Sequence, residues 1–70
     1  METVNLEEIF NQQFHHSEHK DDIITCMREA CYRTIDLCAR TQADEYKSIG
    51  LTNSGKRVYD VIINLKDRIV

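Results

Sequence analysis

The sequence predicts an all-α protein: a short N-terminal helix followed by a long antiparallel helical hairpin, a three-helix, bundle-like protomer that packs into an oligomer. Three observations carry this. The 70 residues contain no Pro and only two Gly, at 50 and 55, so little interrupts long helices. Apolar residues recur at three- and four-residue spacing, the period of a helix face. A chain of this length is one domain that buries only about 60% of its unfolded surface, so association is the expected source of further stability.

The first helix is expected over 6–16. Asn5 is placed to cap it, and Glu8, three residues on, completes a capping-box pattern. Leu6, Ile9, Phe10, Gln13 and Phe14 share one face, opposite Glu7, Glu8, Asn11, Gln12 and His15. Ser17 then offers a second N-cap, followed by Glu18, Asp21 and Asp22, where the helix dipole favours negative charge. A long helix is expected over 18–46. Met27, Cys31, Thr34 and Cys38 run down the middle of its apolar face, widened by Ile23, Ala30 and Leu37 on one side and Ile24 and Ile35 on the other. The opposite stripe sets Glu29 four residues before Arg33 and Asp36 four before Arg40, the favourable order for helix-surface ion pairs. So wide an apolar face exceeds what one neighbour covers, and it predicts that this helix is central.

Residues 47–53 form the turn, with Gly50 suited to a left-handed cap. Thr52, Asn53 or Ser54 is expected to cap a third helix over 54–69. There Val58, Ile62, Leu65 and Ile69 repeat as a bundle seam, widened by Tyr59 and Ile63. The surplus apolar positions predict an oligomer interface of Met27, Cys31, Ile35, Cys38, Val58, Ile62, Leu65 and Ile69.

Charge is segregated. The first 22 residues hold Glu2, Glu7, Glu8, Glu18, Asp21 and Asp22 against Lys20 alone. The last 24 hold Lys47, Lys56, Arg57, Lys66 and Arg68 against Asp60 and Asp67. Opposite ends of opposite sign attract within a chain or between copies. The net charge of -3 weighs against a polynucleotide partner, although Tyr32, Tyr46 and Tyr59 stand near Arg28, Arg33, Lys47 and Arg57. No apolar run approaches a membrane span, and the acidic start lacks the basic and apolar regions of a signal peptide. Three cysteines, Cys26, Cys31 and Cys38, form no paired metal or redox spacing. Cys31 and Cys38 read as small core residues, and Cys26, nearer the polar face, as the thiol most open to reagents. A cytoplasmic protein without a cofactor is expected.

Two stretches invite a chemical reading. GLTNSGKR, residues 50–57, fits the G-x-x-x-x-G-K of nucleotide-hydrolase phosphate loops, but Arg57 stands where a magnesium-binding Ser or Thr belongs. The fit also lacks the preceding buried strand. What survives is an anion site at the start of the third helix. Asn53, Ser54, Gly55, Lys56 and Arg57 would meet a phosphate there, and Tyr59 a base. Lys56 and Arg57 stand at the end of a helix where the dipole disfavours cations, which marks the position. In FHHSEHKDD, His15, His19 and Asp22 are spaced to ligate a metal if the helix is continuous, whereas a break at Ser17 makes them solvated junction residues.

In size and hairpin plan the chain resembles small helical proteins of phages and mobile elements, which include host-defence inhibitors and sponges that capture cyclic nucleotides at oligomer interfaces. The resemblance is one of scale and shape, and no residue roles come with it. The leading expectation is a non-enzymatic protein that oligomerises and acts by contact with a protein partner, as an inhibitor or adaptor does. The alternatives are a binder of a phosphorylated small molecule or nucleotide, and a metal-dependent enzyme using His15, His19 and Asp22.

Overall fold

The structure, a computed structural model, describes residues 3–13 and 18–70. It is all-α: α1 spans Leu6–Gln13, α2 Lys20–Ser48 and α3 Thr52–Ile63, and a 3-10 turn, η1, spans Asn64–Arg68. The expected cap of α1 is present, the Glu8 backbone N–H donating to Asn5 Oδ1 at 3.1 Å. Phe14, His15 and Ser17, and with them the expected second N-cap, lie outside the described residues. His19 stands at the N-cap of α2 without a side-chain capping bond. The long helix therefore starts at Lys20, not 18, and it runs two residues past the expected 46.

The turn after α2 is built on Gly50, whose φ of +83° makes it the sole described residue with positive φ. Its N–H donates to Lys47 O at 3.0 Å and the Leu51 N–H reaches back to Tyr46 O at 2.9 Å. These bonds satisfy the last carbonyls of α2. They also correct the expected start of the third helix. Leu51, already folded back, accepts from the Gly55 N–H at 2.9 Å, so α3 begins at Thr52 with Leu51 as its N-cap and no side-chain cap. Thr52, Asn53 and Ser54 are its first-turn residues, not its caps.

α3 lies antiparallel against α2. Gly55 is buried there, and a Cβ on it would stand 3.0 Å from Ala43 O and 3.2 Å from Tyr46 Cβ. Ala39, one turn back along α2, is wholly buried. Two small residues on one helix and a glycine on the other bring the backbones close. Further along, Lys66 Nζ pairs with Asp36 Oδ1 at 2.7 Å and stands 5.6 Å from the Tyr32 ring centroid, tying η1 to α2. At the other end of α2, Lys20 Nζ lies 2.9 Å from Glu7 Oε1 and 5.9 Å from the Phe10 ring centroid, tying α1 to it. Leu6 and Phe10, four apart on α1, are buried, so both inward positions of that short helix are used.

The expected third α-helix to 69 gives way to 3-10 geometry after Ile63, and Ile69 is extended. The cause is pairing with the other end of the chain. Val4 and Ile69 form a parallel bridge. The Val4 N–H donates to Arg68 O at 2.6 Å, the Val70 N–H to Val4 O at 2.8 Å and the Leu6 N–H to Val70 O at 2.9 Å. A continuing helix would turn the Val70 N–H back to Lys66 O and so withhold it from Val4.

The result is a single layer, 51 × 21 × 14 Å, with α2 as its spine and α1 and α3 packed along it without touching each other. Its radius of gyration, 15.6 Å, exceeds the roughly 11 Å of a compact chain of this length. Gly55→Val should cost about 1–3 kcal/mol in urea unfolding, because rigid backbone and Cβ atoms meet the new side chain. Gly50→Asn, in open space and tolerant of positive φ, should cost less than about 1 kcal/mol. Equal losses at both positions would refute the packing role of Gly55.

Candidate functional site

The seam between α2 and α3 divides the layer into two unlike faces. Counting round α2 from Ala39, helical spacing puts Arg33, Asp36 and Arg40 on one face and Cys31, Thr34 and Cys38 on the other. Counting round α3 from Gly55, Lys56 and Asp60 join the charged face and Val58 and Val61 the second, and Leu65 of η1 shares a surface hollow with Val61. Antiparallel packing is what brings like flanks to the same side.

The second face is apolar and open. Val61 is 66% exposed and Leu65 40%. Leu37, at 60%, and Ile49, at 69%, stand at its edges. Cys38, expected in the core, is exposed, and Cys31 is half-buried. α3 packs along the Ala39–Ala43 line and leaves Cys38 beside it uncovered. Thr34 belongs to this apolar surface despite its hydroxyl, because Oγ1 donates to Ala30 O at 2.9 Å within its own helix. Shallow grooves cross the face. One of about 360 Å³ is lined by Ala30, Cys31, Thr34, Ile35 and Ile69. Another of about 430 Å³ is lined by Tyr46, Ser54, Arg57, Val58 and Val61.

The residues expected at an oligomer interface are distributed accordingly. Met27, Cys31, Ile35, Val58, Ile62 and Ile69 are half-buried within the chain, whereas Cys38 and Leu65 are exposed. Val61 and Leu37 complete the open surface. Val61 breaks the four-three-four repeat of α3, so the seam pattern passes over it, although its three-residue step from Val58 places it on the flank.

The expected anion site is only partly assembled. Gly55 is turned into the seam against Ala43, so its missing side chain serves helix approach. Lys56 and Arg57, consecutive in the helix, point about 100° apart. Arg57 joins Ser54 in the groove beside Tyr46, while Lys56 lies exposed on the charged face. Asn53 is exposed in the first turn and Tyr59 is half-buried at the seam. Of the metal candidates, His15 lies outside the described residues, and His19 and Asp22 are exposed at the start of α2. Among the described residues no three His, Cys, Asp or Glu side chains gather as a metal site. No described helix is long and apolar enough to cross a membrane.

The acidic end is also built by the fold. Glu7 and Glu8 on α1, Glu18 in the turn before α2, and Asp21 and Asp22 in the first turn of α2 are all exposed, with Glu7 held by Lys20. No protein-family model, curated protein or solved structure matches this chain.

Proposed function

We propose that this is a non-enzymatic helical protein that assembles with copies of itself and acts by contact with a protein partner, as an inhibitor or adaptor. One observation carries the reading: the chain leaves an apolar face open while the buried hydrophobic side chains among its described residues are Leu6, Phe10 and Ala39 alone. A face of that kind on so small a core marks an interaction surface. Self-assembly covers it and supplies the burial that a single layer lacks. The acidic end, which is separate from the apolar face, is then the surface for a partner with a basic patch, and its charge speeds encounter.

The wild-type protein should sediment as an oligomer at micromolar concentration. Val61→Asp should sediment as a monomer with helical circular dichroism retained, since Val61 is largely exposed in the single chain. A stable wild-type monomer would overturn the reading. In pull-downs from the native cell, wild type should retain a basic protein that the combined Glu8→Lys, Asp21→Lys and Asp22→Lys variant loses, with oligomeric state unchanged. Equal capture by both would remove the acidic end from the proposal.

A second reading, capture of a phosphorylated small molecule or nucleotide, is favoured by one feature. The first turn of α3 has no side-chain cap, and Ser54 and Arg57 of that helix line the groove beside Tyr46. On this reading phosphate or a nucleotide raises the melting temperature of wild type and leaves that of Arg57→Ala unmoved. Silence across a nucleotide panel dismisses it.

A further inference from the structure

We infer that the apolar face pairs with the same face of a second copy about a two-fold axis parallel to the helices, so that α2 of each chain lies against α3 of the other. This rests on the proposed self-assembly and specifies its geometry. The chain exposes 5648 Å², about a quarter more than the roughly 4,500 Å² of a compact protein of its mass. That surplus, on the order of 1,000 Å², is what one partner gives up in a standard interface, about 800 Å² a side.

The axis follows from the shape of the face. Its α2 half is low, with Thr34, Cys38 and Thr41, and its α3 half is raised, with Val58, Val61 and Leu65. A two-fold axis across the helices sets low against low and raised against raised. An axis along the helices sets each raised half against a low one. Register supports the same choice. Gly55 faces Ala43, and the helices run in opposite directions, so residues forward along α3 stand level with residues back along α2. Val58 is level with Thr41, Val61 with Cys38 and Leu65 with Thr34, each within about one residue's rise of ~1.5 Å.

An axis along the helices preserves these levels between chains. Val58, Val61 and Leu65 of one copy then each stand level with a small side chain of the other, three pairs in each direction. It also brings the exposed Glu45 to within about one turn of the partner's Arg57, a pairing of opposite charges at the rim. The product is a four-helix core whose neighbouring helices are all antiparallel, the arrangement in which helix bundles pack.

Cross-linking between two single-cysteine chains tests the geometry. In a Cys26→Ser, Cys31→Ser background, one chain keeps Cys38 and the other carries Cys38→Ser with Val61→Cys. Oxidised together, the two should link to each other at twice the 8.2 kDa chain mass. Neither alone should link to itself, because equivalent positions are diagonal across the core. Self-linking of the Cys38 chain would overturn the arrangement in favour of α2 against α2. A dimer by sedimentation that links in neither way also overturns it, while leaving self-assembly intact. Monomers by sedimentation overturn both.

Discussion

The close approach of α3 to α2 at Gly55 is the constraint on which the other features depend. With 3.0 Å between a would-be Cβ and Ala43 O, any side chain larger than glycine's hydrogen crowds the α2 backbone. That contact draws the seam along Ala39 and Ala43 instead of along the neighbouring cysteines. It thereby decides which flank of α2 stays open, where Tyr59 and Lys66 fall, and how the levels of the two helices correspond. The left-handed turn at Gly50 is its complement, returning the chain so tightly that α3 starts at once and meets α2 within its first turn.

Because α1 and α3 follow one another along the same spine without touching, the molecule has one layer and thus two broad surfaces. They have opposite character. The charged face needs only water. The apolar face has no such resolution within the chain. The anchors of the layer are modest: Lys20 and Lys66 each join an acid and an aromatic ring, partly exposed contacts worth about 1 kcal/mol apiece. A layer held in this way gains most from having its apolar surface covered.

The helices were legible because their signals are local: apolar period, absence of Pro, the Asn5 cap and the Gly50 turn. The seam was not. Hydrophobic spacing centres the face of α2 on Met27, Cys31, Thr34 and Cys38, while the closest approach of the helices is at Ala39, Ala43 and Gly55, which carry almost no hydrophobic signal. The start of α3 was hidden for a related reason, since a run of Thr, Asn and Ser advertises caps that the Gly50 turn makes unnecessary. The change to 3-10 geometry after Ile63 answers a pairing with Val4, and a bridge of that size leaves no periodicity to read. As for the candidate site, adjacency in sequence suggested that Lys56 and Arg57 act together, and helical rotation sends them to different faces.

The bridge between Val4 and Ile69 links nearly the whole length of the chain into a ring. Closing a loop of that span costs roughly 4 kcal/mol of chain entropy, and the three backbone hydrogen bonds at the bridge do not offset that by themselves. The closure becomes favourable only once α2 and α3 are already in register and carry Arg68 to the right place. The bridge therefore depends on the spine being in place, and a disturbance at either side of it is felt at the other. Hydrogen exchange would see the Val4 and Val70 amides open as one unit, at lower free energy than the spine.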